Sequence, residues 1–174
     1  MSKIWGVNIS MKSCIKEIEK EVKKRFDESD VKYCGFKWFY KNHLLIVKKL
    51  SMELSDVLKA NKEVVHLAAI LHDIGYLTTP EDHVNGSVKE SKKIMERYEI
   101  DKNIIQDVLY CIEMHDKMKL PKTIEARIIQ VSDAISHTHP QFLSSMERIK
   151  KDNFEIFLEK KRKKLEWILG WNYK

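Results

Sequence analysis

With 174 residues, 43% hydrophobic and 33% charged, the chain suits one domain with a real core, and it contains no apolar run near the roughly 20 residues of a membrane span. The first residues lack the charged, apolar and small-residue regions of a signal peptide, and three cysteines (Cys14, Cys34, Cys111) without metal spacing read as reduced thiols, so a soluble cytoplasmic protein is expected. The formal charge of +6 favours association with anions, nucleic acid and small phosphates alike.

Met11, Ile15, Ile18, Val22 and Phe26 recur at helical spacing among Lys and Glu and predict an amphipathic first helix, read as packing. The stretch from Asp27 to Gly35 mixes charge, Ser and Gly and reads as a connection before the aromatic cluster Phe36, Trp38, Phe39 and Tyr40. A second helix then runs to about Lys59, with a seam of Tyr40, His43, Val47, Leu50, Leu54 and Val57 that carries His43 into the core. A lone histidine on such a seam is more often a hydrogen-bonded core residue than a ligand.

The third helix begins near Lys62 and is the one around which the chain is organised. Seven of the eight residues from Val64 to Leu71 are apolar, so it is buried on nearly all sides; it ends in Leu-His-Asp-Ile-Gly, with Gly75 placed as a left-handed C-terminal cap. His72 and Asp73 fall in the last turn. An unpaired buried carboxylate costs several kcal/mol, roughly, and this helix carries no Lys or Arg after Lys62. A bound metal ion would answer that need.

Thr79-Pro80-Glu81-Asp82 has the marks of a helix start and puts His83 in the opening turns of the fourth helix, whose inner face carries Val88, Ser91, Met95 and Tyr98. Gly86 and Ser87 permit a close backbone approach beside that histidine. The fifth helix, from about Lys102 to Asp116, buries Ile104, Val108, Cys111 and Ile112 and ends with His115 on the same face, ahead of a basic loop from Lys117 to Lys122. The sixth, from about Lys122 to His137, places Asp133 on the face of Ala126 and Ile129, a second buried carboxylate without an obvious local cation. Past Pro140, Phe154, Phe157, Leu158, Leu165 and Ile168 predict a last amphipathic helix, with Lys160 to Lys164 as a solvated face. No alternation of strand-forming residues is persuasive, so the class is all-α, a single-domain helical bundle.

Four helices thus turn His43, His72 with Asp73, His115 and Asp133 inward, and the start of a fifth adds His83. Imidazoles with carboxylates suit first-row divalent metals such as Fe, Mn, Co, Ni or Zn, and the absence of ligand cysteines speaks against structural zinc. In the order H…HD…D the sequence resembles the HD-domain superfamily of metal-dependent phosphohydrolases; the matching residues are His43, the His72-Asp73 pair in Ile-Leu-His-Asp-Ile-Gly, and Asp133 in Val-Ser-Asp-Ala. The resemblance covers about Phe36 to His139 and implies one HD-type domain over 1–174, with a core of about 36–139 and flanking helices. Members with two metals insert further histidines where His83 and His115 stand. That implies a dinuclear site bridged by Asp73, with His43, His72 and Asp133 on one ion, His83 and His115 on the other, and Asp73 with His72 as the catalytic pair.

The activity implied is hydrolysis of a nucleotide or other small phosphate ester. Some members with the same six ligands instead hold two irons and activate oxygen to cleave a C–C or C–P bond, and ligands alone do not separate the two. A non-catalytic nucleic-acid or regulatory binding module would call for a degraded ligand set, whereas all six residues are present here. Lys117, Lys119 and Lys122 directly follow His115 and are candidates for binding substrate phosphate, against the plain reading of a solvated loop. His66 lies about 240° around the helix from His72 and does not share its face. His137 and His139 read as helix-end packing or hydrogen bonding, although His137 is within reach of the mouth of the site.

Overall fold

A computed structural model of the chain describes residues 2–4, 7–29 and 38–170; Cys34, Phe36 and most of the connection expected before the aromatic cluster lie outside the described residues. Ahead of the first helix two short strands, β1 (Ser2–Ile4) and β2 (Val7–Ile9), pair antiparallel with Ser2 opposite Ile9. Three residues each is too short for alternation to announce a strand, which takes roughly four. The fold is otherwise all-α: α1 (Met11–Asp27), α2 (Leu45–Leu58), α3 (Lys62–Leu71), α4 (His83–Arg97), α5 (Lys102–Met114), α6 (Ile124–Ser136), α7 (Pro140–Lys150) and α8 (Phe154–Leu169). Among the described residues no helix is long and apolar enough to cross a membrane.

α3 is the centre of the bundle. Asn61 caps it, its side-chain oxygen accepting from the amides of Glu63 and Val64, and every residue from Leu67 to Leu71 is fully buried beneath α1, α2, α5 and α6. His66, the polar break in its apolar run, turns away from the others and meets Glu19 of α1 at 3.1 Å, where Lys48 of α2 pairs with the same carboxylate. The His66 hydrogen bond, and then Lys48 against the opposing effect of burial, pull the Glu19 carboxyl from 4.5 to about 2. A carboxyl held below its unfolded value stabilises the fold above that value and loses the contribution as pH falls through about 4.5 toward about 2. Glu19→Gln is therefore expected to cost about 1–2 kcal/mol at pH 6 and to make the urea midpoint fall less steeply than the parent's between pH 5 and pH 3. Parallel acid limbs in parent and variant would show that this three-way contact contributes nothing.

α2 is entered through a π-helical turn, Tyr40–Leu44, which holds His43. The extra residue in that turn and the close packing of α2 on α3 and α6 shift the expected seam. Its buried positions are Tyr40, His43, Leu44, Val47, Ser51 and Ser55, whereas Leu50 and Leu54 are half-buried and Val57 is 76% exposed. The hydroxyls at 51 and 55 occupy places that the apolar pattern assigned to leucines.

Gly75 is not a left-handed cap; it sits inside a 3₁₀ turn, Ile74–Leu77, that leads the chain off α3. Its role is proximity: a Cβ there would lie 2.1 Å from the His83 carbonyl and 2.3 Å from the Ser87 amide, so only glycine fits. Gly86 faces it, and the Ser87 hydroxyl accepts the Gly75 N–H at 2.8 Å, which ties the start of α4 to the end of α3. α7 is a helix the apolar pattern does not announce. Its only buried positions are Phe142, Ser145 and Met146, and it starts with Pro140 behind a His139 whose Nδ1 accepts the Gln141 amide.

Candidate metal centre

The ends of helices converge on one point. His43 lies in the π turn before α2, His72 closes α3 with Asp73 next, His83 opens α4, His115 closes α5, and Asp133 sits in the last turn of α6. His43 and His72 are fully buried; Asp73, His115 and Asp133 are 4% exposed or less, and His83 is the most open. π turns inside helices are frequent at functional sites because the added residue re-aims one side chain.

The two oxygens of Asp73 face different partners. Oδ2 lies 3.1 Å from His43 Nε2 and 3.5 Å from His72 Nε2, while Oδ1 lies 3.5 Å from His115 Nε2 and 3.6 Å from His83 Nε2. Asp133 Oδ1 completes the first side at 3.4 Å from His43 Nε2 and 3.8 Å from His72 Nε2. Oδ1 of Asp73 is buried without a hydrogen-bond partner among the described residues. In a closed core that orphan atom needs a cation or a proton.

The outer nitrogens explain why the inner ones point as they do. His72 Nδ1 donates to the Ala69 carbonyl at 2.9 Å and His115 Nδ1 to the Ile112 carbonyl at 2.6 Å. The Ser136 hydroxyl gives its proton to the Asp133 carbonyl at 2.6 Å and so accepts from His43 Nδ1 at 3.0 Å. With Nδ1 protonated, each neutral ring presents an Nε2 lone pair inward, and His43 and His72 bring theirs within 3.2 Å. Two lone pairs at that distance repel unless positive charge lies between them. His83 is held differently, its ring stacked on Tyr76 at 4.2 Å between centroids with the planes 4° apart.

The charge states follow from burial and neighbours. Burial pushes His43 and His83 below the ordinary histidine range, favouring neutral rings. For His72 burial acts the same way, but Asp73 and Asp133 outweigh it and raise the pKa, so the pocket calls for positive charge at that nitrogen. Burial would push Asp73 up; His72, His115 and His43 overcome it and hold the carboxyl well below the usual range. Ionised carboxylates, with imidazoles whose Nε2 would be free of a proton once an ion is bound, form a hard-to-borderline donor set suited to a divalent first-row ion, and the orphaned Asp73 Oδ1 is the observation that fits a second ion beside the first.

Asp133 does have a cation. Lys164 of α8 donates to its Oδ2 at 2.9 Å and to Asp116 Oδ1 at 2.7 Å, and is 7% exposed. The run from Lys160 to Lys164 is thus not one solvated face: Arg162 and Lys163 point outward to Glu159, while Lys164 is buried and Lys161 half-buried. Burial opposes ionisation of Asp133, but Lys164, then His137 and His72, keep its carboxyl well below the usual range. The signal for this was in the sequence. Phe157, Lys161, Lys164 and Ile168 share one helical stripe, and a lysine on an apolar stripe reaches inward when a carboxylate waits there.

His137 also lies deeper than helix-end packing. Its ring is 5.1 Å from that of His43 and 4.8 Å from Phe142, and its Nδ1 is buried 3.7 Å from Asp133 Oδ1 without a hydrogen-bond partner among the described residues. Lys117, Lys119 and Lys122 are exposed; Lys117 turns back to Glu113, and the loop backbone is fastened by Gln130 and Tyr110. A cavity of about 260 Å³ descends to Asp73, walled by Tyr76, Phe142 and Phe157, and the lysines that line it are Lys150 and Lys161. The structure therefore brings His43, His72, Asp73, His83, His115 and Asp133 together and leaves the three loop lysines outside.

A sequence profile described as the HD domain matches residues 40–138. Two proteins named ribonuclease Y are similar: that of Malacoplasma penetrans is 33% identical over 111 residues, covering 61% of this chain and 20% of the relative, and that of Desulforudis audaxviator is 33% identical over 101 residues, covering 56% and 18%. The chain thus spans about a fifth of the length of these curated relatives. Among solved structures, a predicted HD superfamily hydrolase from an uncultured Thermotogales bacterium superposes with a TM-score of 0.61 at 17% identity, over 90% of this chain and 92% of that one. A Lactobacillus plantarum protein does so with a TM-score of 0.63 at 15% identity, over 83% and 66%.

Proposed function

The chain belongs to the HD domain family, and from that premise we propose that it is a metal-dependent phosphohydrolase acting on a small phosphate ester through a dinuclear site. The observation that carries this reading is Asp73, whose two oxygens each face a separate pair of imidazoles. His43, His72 and Asp133 would hold one ion, His83 and His115 the other, and Asp73 both. When bound, such ions lower the pKa of a water and polarise a phosphoryl oxygen. The protein's own part is to fix the donors and shield the site. Asp73 offers one oxygen to each side; the Nδ1 hydrogen bonds of His43, His72 and His115 orient three rings; Phe142 and Tyr76 put apolar surface around the approach to Asp73. The similarity to proteins named ribonuclease Y supports a second reading, in which the ester is an RNA phosphodiester.

Metal analysis of the purified protein, followed by a panel of phosphate monoesters, nucleotides and short RNAs with Mn, Co, Ni, Mg and Fe supplied in turn, tests both. About two ions per chain and turnover of at least one ester are expected. His83→Ala and His115→Ala are each expected to lose one ion, keep the other, and drop turnover by about 10- to 100-fold or more. Full occupancy and full rate in either variant would return those histidines to the core and leave a mononuclear site.

A further inference from the structure

We propose that Lys161 of α8 is the phosphate anchor of this site, so that the C-terminal helix rather than the loop after His115 grips the substrate, and that the substrate is a monoester of a planar ring. The inference rests on the hydrolase reading above and names a residue and a substrate class for it. Lys161 and Lys164 stand one turn apart on the buried stripe of α8, and their situations differ. Lys164 is committed to Asp133 and Asp116. Lys161 has no ion pair or hydrogen bond among the described residues; its ammonium hangs 5.6 Å from the Phe157 ring centroid and lines the cavity that has Asp73 at its floor. A half-buried ammonium with no counter-ion among the described residues, on the wall of a cavity that holds the Asp73 carboxylate, is placed for an anion that enters between it and the metal positions. The loop lysines lack this placement, since the cavity reaches none of them.

The walls define what hangs from the phosphate. Phe142 and Phe157 lie 6.2 Å apart with their planes inclined by 35°, and Tyr76, its ring already stacked on His83, lines the same cavity. At about 260 Å³ the cavity is below the roughly 300 Å³ at which ordinary ligand pockets begin, which leaves space for one ring and one phosphate. A phosphodiester, with a second group on the same phosphorus, asks for more room than this volume gives.

The test uses the full chain loaded with Mn. Calorimetry with inorganic phosphate reads the anchor directly, and the KM of p-nitrophenyl phosphate against that of glycerol 3-phosphate reads the ring, because the better leaving group speeds the aryl ester whatever the walls are. Lys161→Met is expected to weaken phosphate binding and raise KM by about tenfold to a hundredfold, the worth of one charge-assisted hydrogen bond, with metal content unchanged and partial recovery in Lys161→Arg. Should the Met variant fail to fold, Lys161→Gln carries the comparison. The parent is expected to favour the aryl ester, and Phe157→Leu to narrow that preference. Unchanged phosphate affinity in the Lys161 variants, or the loss appearing instead in a Lys117→Ala, Lys119→Ala, Lys122→Ala triple variant, overturns the anchor. Equal KM for the two esters in the parent overturns the ring. A parent that binds phosphate through Lys161 yet turns over no ester would leave the anchor standing and remove the hydrolase reading, whereas a hydrolase indifferent to Lys161 does the reverse.

Discussion

Asp73→Ala is expected to lower metal content further than any other single change and to reduce turnover by at least about 100-fold. The argument is geometric. Every other ligand serves one side of the site, but Asp73 presents Oδ2 to His43 and His72 and Oδ1 to His83 and His115. Removing it takes a negative charge from between four imidazoles, two of which bring their lone pairs within 3.2 Å, so both metal positions would lose their shared counter-charge. The variant is also expected to melt at a temperature that a chelator no longer changes, because little metal remains to remove. Metal analysis of parent and variant purified side by side gives the result, and two retained ions with near-normal turnover would sink the dinuclear reading.

The centre of the bundle was legible because its signals are local. α3 carries its own cap, its own apolar run and its own polar ending, and the burial of a carboxylate there needs no knowledge of the neighbours. His43, His115 and Asp133 were found the same way, as polar side chains continuing apolar helical faces. Where the reading failed, the deciding contact came from far along the chain. Gly75 looks like a helix cap until α4 is packed against it, and then a Cβ has no room beside the backbone of His83 and Ser87. Val57 continues a seam in sequence, yet α2 has by then turned its serines inward and left that valine in solvent. The lysine run on α8 looked like surface because five successive positive charges usually are. What placed Lys164 inside is a pair of carboxylates 48 and 31 residues earlier, visible only once α8 lies across the site.

That contact reverses one expectation about stability. From sequence, Asp133 is a buried carboxylate without a cation, and Asp133→Asn should relieve the metal-free protein. With Lys164 at 2.9 Å the substitution instead leaves a buried ammonium with, among the described residues, only Asp116 at 2.7 Å to answer it. Breaking a buried pair on one side costs about 3–5 kcal/mol, and the surviving Asp116 contact reduces that to about 1–3 kcal/mol. In a chain of this size each kcal/mol moves the melting temperature by roughly 2–4 °C. Asp133→Asn is therefore expected to melt several degrees below the parent when both are chelated. Burial works against ionised Asp133, but Lys164 holds its carboxyl well below the ordinary 3.8; the pair's contribution is present above that value and fades as pH falls below it, so the scans belong near pH 7. Metal separates the two partners of the bridge. An excess of about a thousandfold over Kd adds about 4 kcal/mol to the parent. Lys164→Met keeps the Asp133 ligand, and a bound ion can replace the lost positive charge, so that variant should recover much of its deficit when metal is added. Asp133→Asn has lost the ligand itself and should gain far less. An Asn variant that melts with or above the chelated parent would remove the bridge from the stability argument, and one that gains as much from metal as the parent does would remove Asp133 from the ligand set.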